Sequence, residues 1–124
     1  MISAVFLLVV LALLGAMIVS LSTTQHVGAA RDLLGTRAYY AAKAGIDWGA
    51  YQLLQGGGSC STGTMLALPA AAGFTVQVDC SASAPHDEAG VSVVVYRITA
   101  TARSGTLGAH DYAERQLQAL IGTP

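Results

Sequence analysis

The chain opens on a stretch that restricts its fold more than any other. Met1 to Leu21 read MISAVFLLVVLALLGAMIVSL, with no charge and no proline, and Ser3 and Ser20 are its only polar side chains. At about 1.5 Å rise per residue, a run of this length approaches what a roughly 30 Å hydrocarbon core requires of one spanning helix. Lipid is its natural solvent. No proline occurs before Pro69, and helix-compatible sequence continues to about Gln55. One long helix is therefore expected, with everything else carried at its far end.

The whole chain has 124 residues, enough for one membrane segment and one small domain near the lower limit for a self-sufficient core. The reading divides it into residues 1–21, a transmembrane or assembly half of the helix; 22–55, its amphipathic continuation; and 56–124, a globular β domain packing on residues 30–55. Formal net charge is −1 and charged residues make up 10%, so there is no basic face for nucleic acid and no acidic tail.

Cys60 and Cys80 lie beyond the apolar run among glycines and serines. In a small exported domain such a pair is expected to form a disulfide, the alternative being two buried free thiols. Neither has a CxxC partner, so no zinc or redox site is expected. Charge placement pulls the other way. Arg31, Arg37 and Lys43 follow the apolar run and nothing basic precedes it, so these residues alone would put the C-terminal domain in the cytoplasm. A basic leader standing before Met1 would reconcile the two. A cleaved secretory signal fits poorly, since no basic region or small-x-small site brackets the run.

From Ser22 to Gln55, small and apolar residues recur at helical spacing. Leu34, Ala38, Ala41, Gly45, Trp48 and Gln52 share one face, while Leu33, Arg37, Tyr40, Lys43 and Asp47 fall nearer the other. Each helical glycine costs about 1 kcal/mol relative to alanine, so Gly28, Gly35, Gly45 and Gly49 call for a reason. Close approach of a sheet or of a neighbouring helix supplies one. The aromatic side chains Tyr39, Tyr40, Trp48 and Tyr51 are expected in the core and in helix-to-sheet contacts. Gly56, Gly57 and Gly58 end the helix and offer left-handed conformations for a cap.

Beyond a Gly/Ser/Thr loop and a connecting segment MLALPAAAG, the pattern becomes that of strands. Phe74, Val76, Val78 and Cys80 alternate with polar residues, as do Tyr96, Ile98, Ala100 and Ala102 within Val91 to Arg103. Asp111 to Ile121 supplies a third strand, in which Leu117, Ala119 and Ile121 share a face. Three consecutive strands predict an antiparallel meander covered by the second half of the helix. The fold class is thus α+β, a long N-terminal helix on a small antiparallel sheet of about three or four strands.

The apolar start ISAVFLLVVLALLGAMIVS, the helical RAYYAAKAGIDWGAYQLL and the closing strand ERQLQALI together resemble the type IV pilin superfamily and, more narrowly, the MshP family of MSHA biogenesis proteins and its minor-pilin relatives. The likeness is carried most specifically by AYYAAKAGIDWGAYQ. It implies a subunit made with a short basic leader that a prepilin peptidase removes, held in the bacterial inner membrane with its domain in the periplasm, then extruded into a filament cored by bundled helices. The residues it assigns to the membrane and filament helix are Ile2, Ser3, Val5, Phe6, Leu7, Leu14, Gly15 and Ile18. Those that helical spacing and the cost of helical glycine assign to helix-to-sheet or subunit packing are Gly28, Gly35, Ala38, Ala41, Gly45 and Trp48. The chain departs from the family in having no Gly-Phe junction and no glutamate near its start, so Met1 is read as a misplaced start or an internal methionine. A glutamate there would pair with a neighbour's terminal amine in an apolar core. Its absence favours a minor pilin over the bulk subunit.

Chemistry finds little purchase. His86, Asp87, Glu88, His110 and Asp111 lack ligand-like spacing, His26 stands alone, and no GxSxG elbow accompanies the serines. No catalytic residue, metal or cofactor is expected, and the chain is not read as an enzyme. The expected partners are other pilin subunits, the pilus assembly machinery and the inner membrane. The alternatives are a pseudopilin of a type II secretion system and a membrane-anchored, monomeric periplasmic binding module.

Overall fold

The structure, a computed structural model, describes residues 2–55 and 57–124. The readings placed on Met1 and Gly56 lie outside the described residues. Helix α1 spans Ile2–Leu54. Five strands follow: β1 Thr64–Ala67, β2 Thr75–Ala82, β3 His86–Glu88, β4 Val91–Ser104 and β5 Ala113–Thr123, with one 3-10 turn at Pro69–Ala71 between β1 and β2. The chain divides into two compact units, one ending at Leu33 and the other running Leu34–Pro124.

In the first unit the helix carries apolar side chains on every face, and all of the large ones among Val5, Phe6, Leu7, Leu8, Leu11, Leu14 and Ile18 are exposed. Where this run gives way to polar sequence, the Thr23 and Thr24 hydroxyls donate back to the carbonyls of Val19 and Ser20, at 2.6 and 3.0 Å. Such bonds satisfy a hydroxyl without any outside partner.

In the second unit the helix lies on an antiparallel sheet. Thr64 pairs with Val78, Val78 with Ala100 and Ala100 with Leu117, so neighbours in space are β1, β2, β4 and β5 in chain order. The short β3 continues the β2 arm along the same partner. Ala82 opposes Tyr96 and His86 opposes Val93, so Ser83, Ala84 and Pro85 stand against only Val94 and Val95. This is a bulge, with one extra residue on one arm. Ser83 N donates to Val95 O at 2.8 Å, and Val95 N donates to the Ser83 hydroxyl at 3.0 Å. Pro85, which has no N–H to offer the ladder, sits where none is needed.

The expected three-strand meander is therefore present as β2/β3, β4 and β5, and β1 adds an edge. The four residues of β1 are too few for period-two alternation to stand out, and three-residue β3 lies inside a stretch that reads as turn. At the β3–β4 hairpin, Ala89 and Gly90 both have positive φ, 54° and 85°, the pairing of a type I′ turn. Asp87 Oδ1 accepts the Gly90 N–H at 2.8 Å.

The core is built from small side chains on the helix and, on the sheet side, from β-branched residues, alanines and one phenylalanine. Ala38, Ala41 and Ala42 pack with Phe74, Val76, Val78, Ile98, Ala100 and Ala102, all buried. Trp48, Leu66, Leu117 and Ile121 close its margins, each partly exposed. A long N-terminal helix packed in this way on an antiparallel sheet is a pilin-like layout.

Candidate assembly surface

Over residues 38–49 the helix backbone comes close to the sheet. A Cβ on Gly45 would stand 2.7 Å from Val76 Cγ1 and 3.0 Å from Ala100 Cβ; one on Gly49 would stand 2.9 Å from Ile98 Cγ2. Real side chains do not sit this close, so the two glycines let the helix backbone lie directly on β2 and β4. Gly35 is looser, with only the Arg115 guanidinium 3.5 Å from a Cβ there. Gly15 and Gly28 meet nothing within 4 Å. The four glycines grouped by sequence thus separate: two lie tight under the sheet, one is at its margin and Gly28 is open.

Ala38 and Ala41 are buried and Trp48 is half-buried against the core, beside Gly49 and Cys80. Ile2, Val5, Phe6, Leu7, Leu14 and Ile18 are exposed, as are Ser3 and Gly15. The tyrosines differ from expectation. Tyr39, Tyr40 and Tyr51 are exposed, at 45%, 63% and 62%, and Tyr39 stacks edge-on against Tyr40 rather than on the sheet. The cause is the close approach itself. With alanine and glycine at the contact line there is no room for a ring directly beneath the helix, so Trp48 reaches the core only at its margin, and residues one or two positions away point about 100° or more off that line.

Cys60 and Cys80 form a disulfide, with Cα atoms 5.2 Å apart. The loop that it fastens, residues 57–63, has no apolar side chain besides Cys60. Besides the disulfide, polar bonds hold it: Cys80 N donates to Ser61 O at 3.0 Å, Gly63 N donates to Asp79 Oδ1 at 2.7 Å, and the Ser61 and Thr64 hydroxyls meet at 3.0 Å. Gly57 and Gly58 have φ of 82° and 73°, a backbone that glycine alone adopts freely.

The histidines and carboxylates that could carry chemistry are dispersed. His86 Nε2 lies 3.1 Å from Glu88 Oε1 on the exposed β3 arm, and Asp87 serves its turn. His110 and Asp111 belong to the β4–β5 connection. Among the described residues no three His, Cys, Asp or Glu side chains gather as a metal site. The outer sheet face carries polar rows instead. Thr75, Arg103 and Glu114 form one row and Gln77, Thr101 and Gln116 the next, tied by Arg103 Nε to Glu114 Oε2 at 3.1 Å and by Gln116 Nε2 donating to the Thr101 hydroxyl at 3.3 Å. Tyr112 donates its hydroxyl to Glu114. That hydrogen bond, with burial and the glutamate charge behind it, raises the tyrosine pKa above its ordinary value, and Arg103 opposes the rise.

Two features escaped the sequence reading. One is an apolar groove of about 450 Å³ beside the helix, lined by Arg37, Tyr40, Ala44, Leu68, Ala71 and Phe74. The other is Leu107, 85% exposed in the β4–β5 connection. Neither leaves a periodic signal, since both arise from irregular connections. Against protein-family models, curated proteins and solved structures, the chain finds no match.

Proposed function

We propose that this chain is a structural subunit of a type IV pilus, a minor pilin of the MSHA type resembling MshP, which contributes to filament biogenesis, assembly or adhesion. One observation carries the reading. A single helix, Ile2–Leu54, has exposed apolar side chains all round its first part and a small-residue face buried under a sheet in its last part. A helix apolar on all sides needs either lipid or other helices around it, and a filament subunit meets both in turn. The disulfide supports an oxidising compartment for the sheet unit. On this reading the chain is anchored once in the bacterial inner membrane with the sheet in the periplasm, and then enters an extracellular filament. Its partners are other pilin subunits, the assembly machinery and a prepilin peptidase. It works as an assembly element rather than as an enzyme.

The test is crosslinking in the membrane. A photoreactive amino acid at Leu8 or Leu14 of the full chain, expressed with pilin-type neighbours, is expected to give adducts to copies of the chain or to other pilins. Adducts to lipid alone, with the protein remaining monomeric, would reject the reading in favour of a membrane-anchored binding module. Adducts confined to components of a secretion apparatus would make it a pseudopilin.

A further inference from the structure

The groove beside the helix and the loop that carries Leu107 lie at one level of the sheet. Thr75, which follows the groove-lining connection Leu68–Phe74, pairs with Arg103, and Arg103 pairs with Glu114. The connection therefore sits at the same end of the sheet as residues 105–112. The groove lies on the β1–β2 side and the loop on the β4–β5 side, towards opposite edges.

The loop holds a fixed shape. Ala109 N donates to Thr106 O at 2.9 Å and Tyr112 N to Ala109 O at 3.3 Å. Gly105 and Gly108 take φ of 73° and 90°, and a Cβ at Gly105 would stand 2.9 Å from the Asp111 carbonyl oxygen. Single exposed apolar residues are ordinary. Here, however, Leu107 is the most exposed large apolar side chain beyond the helix among the described residues, and an ordered loop presents it. Asp111 follows four residues later and, among the described residues, makes no ion pair. The groove offers the complement: alanine walls over the buried Phe74 ring, and at its rim the exposed Arg37 guanidinium, likewise in no ion pair among the described residues.

We infer that a second, parallel copy of this chain docks here, its Leu107 seated in the groove and its Asp111 paired with Arg37 of the first copy. The inference rests on the filament reading. Because knob and groove share a level on opposite edges, the contact is heterologous rather than a two-fold pairing of like surfaces. Exclusion of water from the alanine-lined groove supplies the attraction, and the charge pair fixes the register.

The test uses the full chain in membranes with a photoreactive residue at Thr106, which leaves Leu107 in place. Adducts between two copies are expected, mapping to residues 37–44 or 68–74. Arg37→Asp and Asp111→Arg are each expected to lower their yield by roughly fivefold, and the double reversal to restore it. Leu107→Asp is expected to abolish them. All three positions are exposed, so an intact disulfide and unchanged Trp48 emission should confirm folding in each variant. Adducts mapping elsewhere, or a double reversal that fails to rescue, would overturn the contact. If the probe at Leu14 gives adducts and the probe at Thr106 gives none, the contact fails and the filament reading stands. If neither gives protein adducts, both fall.

Discussion

Gly45 lies so close under Val76 that a single methyl group on its Cα would come within 2.7 Å of the valine Cγ1. The Ala100 Cβ, at 3.0 Å from the same point, is fixed to β4 and cannot turn away. Alanine would gain helix propensity of about 1 kcal/mol, but overpacking a dense core costs about 1–3 kcal/mol. Gly45→Ala is therefore expected to destabilise the sheet unit by roughly 1 kcal/mol, and Gly45→Val by several times more. Gly28→Ala meets nothing within 4 Å and should gain most of the propensity term. Denaturant unfolding in detergent, followed by Trp48 emission for Gly45 and by helical circular dichroism for Gly28, separates the two signs.

The Cys60–Cys80 disulfide closes a segment of sequence separation 20, for which chain entropy gives about 3 kcal/mol. Apart from Cys60 the fastened loop carries no apolar side chain, so only its hydrogen bonds hold it once the link is cut. Cys60→Ser, Cys80→Ser and reductant are each expected to lower stability by about this amount, and reductant should have no further effect on the double serine variant. A denaturation midpoint that reductant leaves unmoved in the wild-type chain would contradict this.

How much of this was legible beforehand depended on which physical signal each residue left. The face Leu34, Ala38, Ala41, Gly45 was visible because helical period and small size coincide there, and Val76, Val78, Ile98 and Ala100 were visible as alternation. Tyr39, Tyr40 and Tyr51 were misplaced because aromatic character suggests burial, whereas the glycine-set approach leaves rings no space. β1 was invisible at four residues, and the Ser83–Pro85 bulge hid the continuity of β2 with β3. The groove and Leu107 depend on how two connections fold at one end of the sheet, which no local pattern encodes.

Ala89 occupies a position built for another residue. Its φ of 54° is left-handed, which for an L-residue other than glycine, asparagine or aspartate costs about 1–2 kcal/mol. Followed by Gly90 in a type I′ turn, asparagine is the preferred occupant. Ala89→Asn is expected to stabilise the β3–β4 hairpin by roughly 0.5–1 kcal/mol, with Ala89→Gly offset by its greater freedom when unfolded. Slower amide hydrogen exchange at Val91 and Val93 would register the gain. Unchanged or faster exchange would show that the turn is relaxed as it stands.

The Tyr112 hydroxyl donates to Glu114, which also receives Arg103 Nε at 3.1 Å. The hydrogen bond to the carboxylate raises the phenol pKa first, burial and the glutamate charge act in the same sense, and the Arg103 charge acts against them. A folded pKa above the unfolded one means that the native state favours the protonated phenol. Its contribution to stability is thus fully present below the ordinary tyrosine value and is lost as pH rises through the higher folded value. Phenolate absorbance of the wild-type chain minus that of Tyr112→Phe isolates this titration. Glu114→Ala should shift it to lower pH by removing both the acceptor and the charge. Arg103→Met should shift it to higher pH, because the one opposing charge is gone and the carboxylate is left to the phenol alone. A shift to higher pH, or none, in Glu114→Ala would show that Glu114 does not control the tyrosine.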